Sequence, residues 1–270
     1  MRSAFLLLAL LTGAQTFHIL EKPNSKNHQD ITAFAILRAT VKVCEKVEGF
    51  TKPEPLNTQT LAKACKKDAF KSNFEAGIEM ITHYNTQTDV TDIASAKHHF
   101  NSEKFLDGKA LIIKGIEDIA ADVKKEDFEN ARKTLGSILH TLQDFYSHSN
   151  WIELGNTEPC TALINLEESI PNPAGKCSHG GTLDFTTGFG RGWDGINKDA
   201  IDSSHGLDHH KAADVAIAAS VQLLEKIWNN DDPSFFRLIG LHKDKPKGTW
   251  KTFFSFSSSK SRVSDANGKR

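Results

Sequence analysis

The chain has 270 residues, of which 39% are hydrophobic and 25% charged, and its formal net charge is −1. This composition is typical of a globular protein with enough apolar residues for a buried core. A nearly neutral chain gives no electrostatic reason to expect nucleic acid or an anionic membrane as a partner.

The amino terminus has the three parts of a secretory signal peptide. Arg2 supplies the positive charge, residues 5–11 form an apolar run too short to cross a bilayer, and small residues follow at 12–14. We therefore predict a signal peptide over residues 1–14 and a secreted, extracellular protein. No later segment has the length and apolar character of a transmembrane span.

In a secreted protein the four cysteines are expected to form disulfides, because disulfides persist in oxidising compartments. Four cysteines allow three pairings. The short loops favour the pairs Cys44–Cys65 and Cys160–Cys177. A zinc site made of all four is a weaker alternative, since the chain has no close Cys-x-x-Cys pair.

Helical periodicity dominates the chain, and residues 56–158 contain no proline. The pattern predicts five helical segments, at about 28–48, 58–84 with a break near residue 71, 103–124, 126–148 and 207–229. The last of these is rich in alanine and apolar nearly all round, which indicates a central, buried helix. The fold class predicted is all-α, with a single multi-helix domain over residues 15–242.

A long loop interrupts this pattern between the fourth and the last helix. Nine of the 18 glycines lie between residues 155 and 206. Loops of this length in a domain are usually functional or misassigned, and a short strand near 183–185 is compatible with the sequence. Residues 243–270 are basic and rich in serine, so we predict a mobile tail.

The most informative pattern lies on the fourth helix. His140, Asp144 and His148 are four residues apart, and each step of four rotates only about 40° around a helix, so all three project from one side. The neighbouring leucines and aromatics would bury that side, and a buried row of this kind needs partners. Spacing alone leaves two interpretations open, a metal site and a polar helix face.

A second pair, His205 and His209, has the same spacing at the start of the last helix. Two histidines one turn apart can bind one ion, although a polar helix start is the simpler explanation of this pair alone. Histidines and carboxylates recur at the ends of four helical segments, and such ends can meet in the core of a bundle. The sequence thus favours a Zn²⁺ centre.

Six stretches of the chain match a known pattern: HQDITAFAIL, HHFNSEKFLDG, HTLQDFYSHSNWIELG, GKCSHGGTLD, WDGINKD and SSHGLDHHKAADVA. They extend over residues 28–217. In these stretches the chain resembles the amino-terminal domain of vertebrate von Willebrand factor A domain-containing proteins and the fungal heterokaryon-incompatibility C family. Those families are in turn similar to zinc-dependent phospholipases C and fungal zinc nucleases.

The resemblance implies an all-helical domain of phospholipase C or nuclease type that holds one to three Zn²⁺ ions. Its activity would be hydrolysis of a phosphodiester or phospholipid, with Asp89 orienting or deprotonating the attacking water. The ligands that the resemblance implies are His28, Asp89, His99, His140, Asp144, His148, His205 and His209.

The chain also departs from the phospholipase pattern. His209 stands where that pattern has a glutamate, and only three residues separate Asp144 from His148. A second function therefore stays open, that of a secreted, non-enzymatic recognition module with a structural metal cluster.

Overall fold

The computed structural model describes residues 22–171, 195–203, 205–228 and 233–246. Within these ranges the protein is all-α, as predicted, and no strand is present. Its helices are α1 (His28–Cys44), α2 (Thr58–Ala64), α3 (Lys71–Thr91), α4 (Phe105–Lys124), α5 (Phe128–His148), α6 (His209–Ile227) and α7 (Ser234–Leu238). No helix among the described residues is both long enough and apolar enough to cross a membrane.

Several predicted features lie outside the described residues. They are the signal peptide, Cys177, the strand near 183–185 and nearly all of the carboxy-terminal tail.

The helix at the centre of the bundle is α5. It packs against α3, α4 and α6 and also contacts α1 and α7. Every residue from 138 to 149 is buried, so the last turns of α5 are enclosed on all sides. Helix α6, which the sequence predicts to be central and buried, exposes His210, Lys211 and Asp214 in its first turns and is buried at most positions from 215 to 224.

The five predicted segments correspond in order to α1–α6, with the second divided into α2 and α3, and their differences from the structure lie at their ends. The short helix α7 has no counterpart in the prediction. The predicted break near Lys71 is present, because a short 3₁₀ turn at Asp68–Phe70 separates α2 from α3. Helix α3 continues to Thr91, well past the predicted end at Tyr84. Helix α1 ends at Cys44, four residues before the predicted end.

One disulfide joins α1 to α2. Cys44 is the last residue of α1, and Cys65 immediately follows α2. The bond closes a loop with a sequence separation of 21 residues, and a cross-link of this size contributes about 3 kcal/mol by restricting the unfolded chain. Cys160 is buried, and its pairing with Cys177 stays a prediction.

Glycine allows α3 to approach the backbone just after α7 closely. A Cβ atom at Gly77 would lie 2.1 Å from the carbonyl oxygen of Ile239 and 3.0 Å from the Cα of Gly240. Both contacts are with backbone, which cannot rotate away as a side chain could. Gly77 is therefore required by packing, although glycine in a helix interior is otherwise unfavourable.

We predict that Gly77→Ala destabilises the protein, against the higher helix propensity of alanine. Overpacking of this kind costs about 1–3 kcal/mol, which corresponds to a fall in melting temperature of roughly 3–10 °C. Ser72→Ala is the matched control, because Ser72 is exposed on the same helix. Equal melting temperatures for both variants in a thermal unfolding experiment would contradict the packing argument.

Candidate metal centre

The first candidate ligand, His28, is placed by the start of α1. The side chain of Asn27 accepts a hydrogen bond from the backbone of Asp30, and the Asp30 carboxylate accepts one from the backbone of Asn27. This reciprocal capping box fixes where the helix begins. It makes His28 the first residue of α1, and the His28 side chain is only 2% exposed.

His99 is placed by an irregular segment between α3 and α4. The next residue, Phe100, has a left-handed backbone with φ of 51°, a conformation that costs a non-glycine residue about 1–3 kcal/mol. The fully buried Phe100 ring packs against Phe105 and Phe145, at centroid distances of 6.0 and 5.3 Å. Burial of the Phe100 ring offsets this strain and turns His99 toward α5.

The side chains of α1, α3 and the His99 segment meet at Asp144 on α5. One carboxylate oxygen, Oδ1, lies 3.1 Å from Nε2 of His28. The other, Oδ2, lies 3.0 Å from Nδ1 of His99 and 3.2 Å from Nε2 of His140. Asp89, in the last turns of α3, places Oδ1 3.5 Å from Nε2 of His140. None of these five side chains is more than 2% exposed.

His28, His99 and His140 each have one ring nitrogen that points away from the carboxylates, here called the outer nitrogen. Each outer nitrogen is hydrogen-bonded to an oxygen atom that can only accept. Nδ1 of His28 donates to the side-chain oxygen of Gln143 at 2.7 Å. Nδ1 of His140 donates to that of Asn85 at 3.2 Å, and Nε2 of His99 donates to the backbone carbonyl of Asp92 at 3.1 Å. Each ring then directs its other nitrogen toward the carboxylates. Metal-binding histidines are oriented in this way by their outer partners.

The ring nitrogens of His99 and His140 that face each other would repel if neither carried a proton and no metal ion lay between them. Nε2 of His140 lies 3.1 Å from Nδ1 of His99. Burial lowers the pKa of His140 to about 3, so this ring is neutral. Burial also opposes protonation of His28 and His99, but Asp144 and Asp89 raise the pKa of both above the usual value. The two carboxylates thus favour positive charge at His28 and at His99.

The arrangement contains two overlapping groups that could hold a metal ion. One group is His28, His140 and Asp144, and the other is Asp89, His99 and His140. Within each group the ligand atoms lie within 4.8 Å of one another. Imidazole nitrogens and carboxylate oxygens are ligands that zinc commonly takes. Five of the eight predicted ligands are therefore brought together.

His148 lies beside this cluster but has other contacts. Its Nδ1 donates to the backbone carbonyl of His99 at 2.8 Å, and its Nε2 lies 3.0 Å from Oδ1 of Asp199. Burial opposes protonation of His148, but the nearby Asp199 and Asp144 raise its pKa to about 9. In this arrangement His148 is an imidazolium that joins two segments of the chain.

His205 and His209 are also separate from the cluster, and neither belongs to a group of three or more candidate ligand atoms among the described residues. Nδ1 of His209 donates to the carbonyl of Lys198 at 2.7 Å, and its Nε2 accepts from the backbone of Lys26 at 2.9 Å. Nδ1 of His205 accepts from the backbone of Asn197 at 3.3 Å. These two histidines connect the start of α6 to the backbone of Lys26, Asn197 and Lys198.

Sequence reasoning missed the residues that orient the ligands. Asn85 and Gln143 lie one turn or less from Asp89 and Asp144 on the same helices and are fully buried. Their amides also bond to Thr32. A buried amide next to a ligand row is a weak signal that could have suggested this role. Asp199, in the stretch WDGINKD, gave no comparable signal because it has no periodic relation to a helix.

A sequence profile described as the VWA7 N-terminal domain matches residues 56–172 and 166–237, more than half of the chain. The chain belongs to the VWA7 N-terminal domain family. It is 29% identical to human von Willebrand factor A domain-containing protein 7 over 299 aligned positions, which cover 88% of this chain and 33% of the human protein. The mouse protein of the same name is 27% identical over 83% of this chain and 31% of its own length.

The chain therefore spans about a third of the length of these VWA7 relatives. No solved structure matches it. The family assignment agrees with the resemblance to the amino-terminal domain of von Willebrand factor A domain-containing proteins that the sequence motifs indicated.

The contacts of Gln143 predict a large loss of stability in Gln143→Leu. This substitution leaves buried polar groups of His28, Thr32 and Asn85 without their bond to Gln143, which costs roughly 2–4 kcal/mol. Gln59→Leu is the control, since Gln59 is exposed on α2. Chemical unfolding with chelator present measures the difference, and equal unfolding free energies would refute the role of the amide.

Proposed function

We propose that this domain is a secreted zinc-binding domain whose metal centre joins the helices of the bundle. One observation carries the proposal: three imidazoles and two carboxylates converge in the core, and the outer nitrogen of each imidazole is already bonded to an acceptor. Buried carboxylates need positive charge close to them, and a bound cation would supply it.

The donor set fits zinc. Asp89, His99, His140 and Asp144 would provide two nitrogen and two oxygen ligands, the number that a structural zinc site uses. His28 approaches the opposite oxygen of Asp144. Softer ions favour thiolate ligands, and calcium and magnesium favour oxygen ligands alone. None of the described cysteines belongs to either ligand group.

Two features support secretion. Residues 1–14 have the pattern of a signal peptide, a segment that directs export, and the Cys44–Cys65 disulfide is of a kind that persists in oxidising compartments.

Removal of zinc is expected to destabilise the protein. A metal present at 100 times its dissociation constant contributes about 2.7 kcal/mol, so a chelator should lower the melting temperature by roughly 5–10 °C. Elemental analysis of the purified protein should find zinc, and His140→Ala should lose it.

His210→Ala is the matched control, because His210 is exposed at the start of α6. This variant should retain both its zinc and its sensitivity to chelator. A wild-type protein that binds no zinc, or whose melting temperature is unchanged by chelator, would rule out the structural role.

A second candidate function is hydrolysis of a phosphodiester, of the phospholipase C or nuclease type. The observation that favours it is an excess of ligands, since five side chains converge where a closed zinc site needs four. The two oxygens of Asp144 also face different histidines, an arrangement that can serve two ions. Zinc supplies Lewis acidity that activates water and stabilises charge on phosphate. In this function Asp89 would orient or deprotonate the attacking water.

A chromogenic phosphodiester such as bis(4-nitrophenyl) phosphate distinguishes the two functions. The hydrolase hypothesis predicts turnover by the zinc-loaded protein and a loss of about 100-fold or more in Asp89→Asn. Asp107→Asn, which changes an exposed carboxylate on α4, should keep full activity. If the zinc-loaded protein shows no turnover above that of Asp89→Asn, the hydrolase hypothesis is wrong and the non-enzymatic function is favoured.

A further inference from the structure

The segment before α6 reaches the metal centre through Asp199. Oδ1 of Asp199 lies 3.0 Å from Nε2 of His148, and the hydroxyl of Ser147 donates to the same oxygen. The Asp199 side chain is 2% exposed, so both contacts are shielded from water. Asp199 thus attaches residues 195–203 to the carboxy-terminal turn of α5.

The neighbouring residue, Lys198, fixes the position of Asp199. The Lys198 side chain is fully buried. Its Nζ donates to the carbonyl of Ser149 at 2.8 Å and to the two carboxylate oxygens of Glu153 at 2.9 and 3.1 Å. Its carbonyl accepts from His209. A buried charge that is fully paired in this way holds its segment in one arrangement, because any slip would leave the ammonium without a partner.

From Asp199 the contacts continue to a candidate ligand. His148 donates from Nε2 to the carboxylate of Asp199 on one side and from Nδ1 to the backbone carbonyl of His99 on the other, at 3.0 and 2.8 Å. The His99 ring then places Nδ1 3.0 Å from Asp144. His99 lies on an irregular segment with left-handed residues, so its carbonyl needs an anchor that a regular helix would not need.

We propose that Asp199 is a positioning residue of the metal centre and acts through His148 to hold His99 in its ligand geometry. The proposal rests on the zinc-binding function proposed above. It also assigns His205 and His209 a role, since both hold the 195–203 segment in place. Removal of a residue that orients metal ligands through hydrogen bonds typically changes the metal affinity by 10–100-fold.

The test compares Asp199→Asn with Asp202→Asn. Both replace a carboxylate by an amide in the same segment, but Asp202 is exposed and pairs with Lys22 on the surface. Cobalt(II) is the probe, because its visible absorption reports the geometry of the ligands. We expect Asp199→Asn to bind cobalt 10–100-fold more weakly with altered visible bands, and Asp202→Asn to match the wild type.

Three results would overturn the proposal, and they are distinguishable. Asp199→Asn with wild-type cobalt affinity and bands overturns the positioning role alone, even if its melting temperature is lower. Wild-type protein that binds neither cobalt nor zinc overturns the zinc-binding function itself. If Asp199→Asn does not fold, Ser147→Ala decides, because it removes one bond to Asp199 and keeps the charge. Weaker cobalt binding in Ser147→Ala supports the proposal, and unchanged binding overturns it.

Discussion

The carboxylate of Asp144 is the constraint on which the rest of the structure depends. It lies at the centre of the bundle, fully buried on the one helix that all the other long helices contact. A charge in that position is stable only when it is paired and hydrogen-bonded with good geometry. His28, His99 and His140 approach it from α1, from the segment before α4 and from α5 itself. The same interaction therefore explains both the convergence of the helices and the chemistry of the site.

A second layer of polar contacts holds these partners. The amides of Asn85 and Gln143 bond to the outer nitrogens of His140 and His28 and to each other. Such a network is stabilising only when every member is satisfied, and it then specifies one arrangement of the core. A bound metal, the amides of Asn85 and Gln143 and the Asp199–His148 pair would together form a polar centre inside an apolar core. The same residues would therefore stabilise the fold and form the site.

The sequence predicted the helices well, because periodicity and the absence of proline over residues 56–158 reflect local physics. It also predicted the Cys44–Cys65 pair, which local loop length favours. It indicated that the polar row of α5 would be buried, but it could not show that α5 contacts all the other long helices, because such contacts depend on the packing of distant segments. The roles of His205 and His209 could not be separated from those of His140 and Asp144, because the spacing is the same in both pairs. Only the fold shows that His209 bonds to backbone on both ring nitrogens.

The most direct test of the central claim is crystallography of the zinc-supplemented protein with anomalous diffraction measured on both sides of the zinc absorption edge. The account predicts an anomalous peak within about 2.0–2.2 Å of ligand atoms from Asp144, His140 and His99. An ordered core with no peak at this position, or a peak only at surface histidines, would contradict it.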